Sequence, residues 1–368
     1  MNTTYHPIGG SKIWKLKALG SLIWRRYNDQ QDLSKFLAVI NKVKPDIIHI
    51  HGTENPFGCL IPFTKIPVVI SMQGCVTVIS HKYLNGFTKK DLHLNRFVNA
   101  RRIKELLFHR SFIRAADELK RNAFREQRNL RNASYLIGRT SWDRRVSSVL
   151  APGSRYFHCN EILRETFYRH VWNYSVADKI IIHTTSASSP FKGLLTICQA
   201  VSILISIDGF NFEWRIAGID EMDPIVRIVR NKLRARDVFN RINFKGYMNE
   251  AELVESLCNS HMYVSPSHIE NSSNSLGEAM LIGMPCIATF SGGTGSIISD
   301  GIDGILVQDG DPWTLAGAIL ELHRNSDLAQ QIGRNARSKA LVRHNPEKIV
   351  SDLQMVYDNI ITTSANQT

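Results

Sequence analysis

The sequence predicts an α/β protein built from two doubly wound, Rossmann-like domains. Three observations lead there: its length, a strict alternation of short apolar strands and helical stretches after Asp178, and a sparser set of strands before it. A chain of 368 residues exceeds one ordinary core, since domains run to roughly 100–200 residues. Its 43% hydrophobic and 21% charged composition is that of a globular protein, not of a disordered or fibrous one.

The second half reads most clearly. Strands are expected at Lys179–Thr184, Phe212–Gly218, Ile242–Lys245, Met262–Ser265, Pro285–Thr289 and Ile305–Val307. Helices are expected at Leu194–Ile205, Pro224–Ala235, Glu250–Cys258, Ser275–Ile282, Thr294–Asp300 and Pro312–Arg324. Strand and helix in alternation imply right-handed crossovers and a parallel sheet. In the first half, Asp46–His51, Val68–Ser71, Tyr135–Gly138 and Tyr156–His158 read as strands, and residues 90–132 as one long basic helical stretch. Before Lys44 there is no strand pattern and no glycine-rich first turn, so the first βαβ unit of that domain is expected to be lacking. The expected division is 1–172 and 173–345. A last helix, Pro346–Ile361, carries Ile349, Leu353, Val356 and Ile360 at helical spacing and needs the first domain to bury them.

The net charge of +12 is uneven: residues 1–145 carry +16 and the remainder −4. A single-sign half is the footprint of an anionic partner. Nucleic acid as that partner rests only on charge and ranks far below, because no zinc-finger spacing, RNP-type strand or basic helix joined to heptads is present. An anionic membrane surface fits better: Lys12–Tyr27 interleaves Trp14 and Trp24 with five basic residues, as in a helix lying among headgroups, although an ordinary packed amphipathic helix has the same pattern. No apolar run nears the ~18 residues of a membrane span. The opening Met1–Gly10 lacks the order of a secretion signal, so a cytoplasmic location is expected. Six cysteines without a CxxC pair suggest reduced thiols and no zinc site.

Two loops carry the chemistry. Ser186–Gly193 follows a parallel strand and opens onto a helix N-terminus, where such sheets hold anions. Lys192 adds a point charge suited to phosphate, and Gly193 permits close backbone approach. The second loop, His268–Glu278, brings Glu270 and Glu278 to one mouth, eight positions apart. Two carboxylates there are acceptors suited to sugar hydroxyls, while Ser275-x-x-Glu278 also has the spacing of a capping box.

Glu270-x7-Glu278, followed by Gly283-x-Pro285, Ser291–Gly295, Asp300–Val307 and Asp311, resembles the signature of the retaining family 4 glycosyltransferases of the GT-B fold. Lys44–Gly52 and Val68–Gly74 resemble that family's strands before the acceptor cleft, so the resemblance spans residues 44–361. It implies two domains facing a cleft, and transfer of a hexose from a UDP- or GDP-linked sugar to a glycan or lipid-linked acceptor, with no metal or other cofactor. It implies Lys192 and Glu270 as the catalytic pair. Gly193, Tyr247, Met248, Asn274, Ser275, Leu276 and Glu278 would complete the donor site, and His51, Gly52, Gln73 and Gly74 the acceptor side. Peripheral attachment at the inner face of the membrane follows from the charge and such an acceptor. Ala187 stands where the family often has an arginine, and Gln73 where it usually has histidine. A degenerate homologue that binds nucleotide-sugar without turnover is therefore the alternative.

Overall fold

The structure is a computed structural model that describes residues 3–8, 29–93 and 112–366. Two sheets organise it. The first is four-stranded, in the order β1 (Ile48–His51), β2 (Val68–Ser71), β3 (Tyr135–Gly138), β4 (Arg155–His158). The second contains β5 (Ile180–Thr185), β6 (Phe212–Ala217), β7 (Ile242–Gly246), β8 (Met262–Ser265), β9 (Cys286–Thr289) and β10 (Ile305–Val307), in the order β10-β9-β8-β5-β6-β7. Every pairing is parallel, so all carboxyl ends of a sheet lie along one edge. In the second sheet the strand order reverses between β5 and β8, the position at which open α/β sheets bind ligands beyond the strand ends.

Buried aliphatic residues explain why these strands are central. β5 carries Ile180 and Ile182 into a core with Ile197, Val201, Leu204, Trp214 and Ile319, while β8 and β9 put Tyr263, Cys286 and Ala288 on the opposite face under Ala279, Met280 and Ala336. The first sheet has its own two faces. Phe36 from the helix Asp29–Val43 covers one, with Leu60 and Leu130. The other is covered by the terminal helix Pro346–Ala365, whose Ile349, Val356 and Ile360 pack on Val69, Tyr135 and Ile137. Full burial of each such side chain stabilises by about 1.5–3 kcal/mol. The chain thus leaves the second domain at His344 and returns to the first.

Some elements differ from expectation. Leu163, Phe167 and Trp172 are buried in the second domain's core, and Trp172 Nε1 donates to the Ser260 carbonyl at 2.7 Å. The second domain therefore begins about ten residues before the expected boundary at 172/173. The stretch 90–132 is described as helix at Lys89–His93 and Phe112–Leu130, and its middle lies outside the described residues, as does Lys12–Tyr27. Thr294–Asp300 forms only one 3₁₀ turn, Thr294–Ser296, because Gly292, Gly293 and Gly295 disfavour a longer helix. The helix Ser326–Arg343 was not anticipated.

Three histidines, His183 and His344 buried and His49 half-buried, make the fold sensitive to acid. Burial, with His51 nearby, pushes His49 down to about 4. Burial pushes His183 to about 3, assisted by Arg215 and Lys245, and burial pushes His344 to about 4. Each is neutral in the folded chain, whereas the unfolded chain protonates near 6.5. Stability is therefore full above about pH 6.5 and falls as pH drops toward 4, because the unfolded state takes up the protons. The urea midpoint should decline between about pH 7 and pH 5. A flat midpoint over that range would contradict this reading of the three rings.

Candidate active site

Both loops singled out in the sequence leave the two strands that flank the switch point, one after β5 and one after β8. The first runs through a 3₁₀ turn, Pro190–Lys192, to Gly193 and the helix Leu194–Ile205. Gly193 has φ +80°, and a Cβ there would lie 2.1 Å from the Pro266 carbonyl oxygen. His268 N donates to the Phe191 carbonyl at 2.7 Å. The loops therefore touch backbone to backbone. This seats Lys192 Nζ 2.5 Å from Glu270 Oε1, with both side chains largely buried. The structure thus brings together the two residues that the sequence nominated for chemistry.

Glu278 does not act as the cap that its spacing allowed. The helix Asn274–Ile282 is capped by Ser273, whose Oγ accepts from Leu276 N, so Ser275 and Glu278 do not form a capping box. Instead Glu278, 4% exposed, takes a fork from Arg164: Nε to Oε1 and Nη2 to Oε2, each 2.7 Å. Hydrogen bonding to Glu278 raises the Arg164 guanidinium above its ordinary pKa, and its plane rests over the Phe167 ring at 4.6 Å. A bidentate arginine fixes a carboxylate in orientation as well as charge.

The remaining nominated residues scatter around this centre. Asn274 and Ser275 form the first turn of that helix and Leu276 is buried behind them. Tyr247, after β7, is 88% exposed, and Met248 packs on the second core. On the first domain His51 is exposed and stacks on His49, with buried Gly52 following. Gln73 is exposed; its carbonyl accepts from Arg139 Nη2 at 3.4 Å. Among the described residues no cluster of three His, Cys, Asp or Glu side chains could hold a metal ion.

Sequence reasoning missed four groups. Arg164 is one. Glu126, 1% exposed, caps the helix Val76–Lys82 by accepting from Val76 N (2.9 Å), Thr77 N (2.7 Å) and the Thr53 hydroxyl, and so fixes the turn at Gln73–Cys75. Asp309 joins His268 Nδ1 at 2.6 Å to Lys82 Nζ of the first domain at 3.3 Å. Asn271 bonds across the cleft to Met72 and Thr140. Each partner lies far off in sequence, and no local spacing signals it.

Residues 178–325 match the family of glycosyl transferases group 1. The chain is 28% identical over 193 residues to the N-acetyl-alpha-D-glucosaminyl L-malate synthase of Bacillus anthracis, covering 52% of this chain and 48% of that one. It is 25% identical over 181 residues to the capsular polysaccharide biosynthesis glycosyltransferase CapM of Staphylococcus aureus, covering 47% and 44%. The chain thus spans about half the length of the curated relatives it matches. Among solved structures, sucrose-phosphate synthase from Thermosynechococcus elongatus superposes with a TM-score of 0.71 at 17% identity, covering 98% of this chain and 81% of that one. Anabaena HepE in complex with UDP-glucose does so at 0.61 and 17%, covering 90% and 82%. The fold is GT-B. The similarity to the glycosyl transferases group 1 lies within the second domain.

The contact between the loops is testable without any ligand. Gly209 also has positive φ (+75°) but open space around it, so Gly209→Ala should cost only the left-handed strain of about 1–2 kcal/mol. Gly193→Ala must in addition displace the Pro266 backbone, and should cost at least about 1 kcal/mol more by denaturant unfolding. Equal losses would mean that the loops are not in backbone contact.

Proposed function

We propose that this chain is a retaining glycosyltransferase that moves a hexose from a UDP- or GDP-linked sugar to a glycan or lipid-linked acceptor. The observation that carries the reading is the Lys192–Glu270 pair, held by the two loops that flank the switch point of the second sheet. The matches to glycosyl transferases group 1 and to a polysaccharide-synthesis enzyme support it, as does the likeness in fold to a protein solved with UDP-glucose.

The chemistry follows from charge. Departure of a nucleoside diphosphate builds negative charge on the leaving oxygen. The Lys192 ammonium, and the free N–H groups at the start of Leu194–Ile205, stabilise that charge where water is largely excluded. Glu270 directs the ammonium and faces the sugar. Glu278 accepts from the ribose diol. The Arg164 fork uses one lone pair on each carboxylate oxygen and leaves another on each for a hydroxyl. The acceptor attacks on the face that the leaving group vacates, and the phosphate takes its proton, so the reaction proceeds with retention and needs neither a dedicated base nor a metal.

The first domain supplies the acceptor side, with His51, Gly52, Gln73 and Gly74 at the carboxyl ends of β1 and β2. Its charge suits an anionic membrane. Along Phe112–Leu130 and just beyond, Arg114, Lys120, Arg121, Arg128 and Arg131 are exposed beside Phe124, itself 73% exposed. No helix among the described residues is long and apolar enough to cross a membrane, so the attachment we propose is peripheral, at the cytoplasmic face.

A panel of UDP- and GDP-sugars screened by thermal shift should identify the donor, since bound ligand raises apparent stability. With that donor, Lys192→Ala should lower kcat/KM by about 100-fold or more while leaving the fold intact. Glu278→Gln should weaken nucleotide binding by about 1–3 kcal/mol. Turnover undiminished in Lys192→Ala would remove the lysine from the mechanism; no turnover by the wild type with nucleotide bound would favour the degenerate homologue.

Membrane attachment has its own test. Each basic side chain near an anionic bilayer contributes about 1 kcal/mol. Co-sedimentation should therefore rise with the anionic lipid content of vesicles and fall as salt is raised to physiological strength. Equal retention on neutral vesicles would exclude this role for the charge.

A further inference from the structure

We propose that Asn271 is a positioning residue through which closure of the two domains sets the Lys192–Glu270 pair, an inference that rests on the donor-site reading above. Its side chain, 5% exposed, is bonded at both ends to the other domain. Nδ2 donates to the Met72 carbonyl at 2.9 Å, and Oδ1 accepts from the Thr140 hydroxyl at 2.8 Å. Met72 follows β2 and Thr140 follows β3, its paired neighbour. One amide therefore reads two adjacent strand ends. An amide is required there, because it presents a donor and an acceptor on one short planar group.

What Asn271 senses passes on to Glu270 with little slack. The two residues share one rigid peptide unit. On the other side, Gly293 N donates to the Glu270 carbonyl at 2.8 Å. A Cβ at Gly293 would lie 2.0 Å from the Asn271 carbonyl oxygen and 2.7 Å from Thr140 Cγ2, so that position admits only glycine. The backbone of Glu270–Asn271 is thus wedged between the Gly293 turn and the first domain. Glu270 in turn holds Lys192 at 2.5 Å.

Other contacts also hold the domains together. Lys82–Asp309 (3.3 Å) and Asp91–Lys232 (2.8 Å) are ion pairs in which one or both partners are partly exposed, Ser141 N donates to Ser296 Oγ (3.0 Å), and Tyr83 packs near Phe191 at 5.9 Å between ring centroids. They keep the cleft closed, but none bonds to Glu270 or its chain neighbours. Asn271 alone among these bonded groups adjoins the donor carboxylate.

The test compares Asn271→Ala, Asn271→Asp, Thr140→Ala and Thr140→Ser in the full chain, with affinity for the nucleoside diphosphate (UDP or GDP) of the donor found above by calorimetry, and transfer kinetics with that donor. Thr140 also caps its own helix by accepting from Asp143 N, so the double variant Asn271→Ala/Thr140→Ala is included. Asn271→Ala, Asn271→Asp and Thr140→Ala should each lower kcat by about 10- to 100-fold, with nucleoside diphosphate affinity within about 3-fold of wild type, because the proposed nucleotide contacts lie in the second domain. Thr140→Ser should restore kcat, and the double variant should be no worse than Asn271→Ala. An undiminished kcat, additive losses, or a loss of nucleoside diphosphate affinity equal to the loss of kcat would overturn the proposal. If the wild type binds no nucleotide, the donor-site reading falls by itself. Amide exchange then judges the latch: Asn271→Ala and Thr140→Ala must both speed exchange in residues 189–193 and 71–74, and unchanged exchange would overturn it.

Discussion

Lys192 and Glu270 can meet only if two loops of one sheet touch backbone to backbone, and much of the structure is arranged around that constraint. Pro266 O and Gly193 approach so closely that no side chain fits between them. The contact is affordable only at a switch point, where β5 and β8 are neighbours in the sheet but their following helices lie on opposite faces. The two chains can then converge above the strands without their helices colliding. Hydrophobic layers on both faces keep the strands in register, and the His268 N to Phe191 carbonyl bond closes the gap.

The segment between the domains belongs, energetically, to the second one. Leu163, Phe167 and Trp172 are buried under the helix Asn274–Ile282, and Tyr168 Oη donates to the His344 carbonyl at 2.6 Å. That anchoring places Arg164 where it can grip Glu278. The same crossing brings the terminal helix back to the first sheet, where Tyr357 Oη meets His49 Nδ1 at 2.6 Å. Two chain passages therefore cross between the domains side by side, and both are tied down near His344.

The parallel sheet of the second domain was legible because its strands are buried on both faces and read as short apolar runs between turns. The helix Ser326–Arg343 was not. Its inward stripe is Ala329, Ile332, Gly333, Ala336 and Ala340, all small but Ile332, so that it carries little periodic hydrophobicity. They are small because the helix lies against the Gly283 backbone, 2.3 Å from where a Cβ on Gly333 would stand. Lys192 and Glu270 were legible from loop position and type. The Glu278 partner was not, since Arg164 lies 114 positions away. The capping-box spacing misled for a local reason: Ser273 and Ser275 are equivalent in type, and only the observed start of the helix at Asn274 separates them.

A lysine that already has a carboxylate partner has a physical use in the proposed reaction. Bound in the ground state, a nucleoside-diphosphate sugar shares the Lys192 ammonium with Glu270, and the gain from that contact is small. As the glycosidic bond breaks, the leaving phosphate acquires charge and competes more strongly for the same ammonium. The positive charge developing on the sugar ring meanwhile favours Glu270 as a free carboxylate. Exchange of partners therefore stabilises both halves of the separating pair, and does so most at the transition state, where such stabilisation raises rate and not merely affinity. The exchange demands that Glu270 neither follow the lysine nor swing into solvent. A backbone pinned between the Gly293 turn and the Asn271 amide meets that demand.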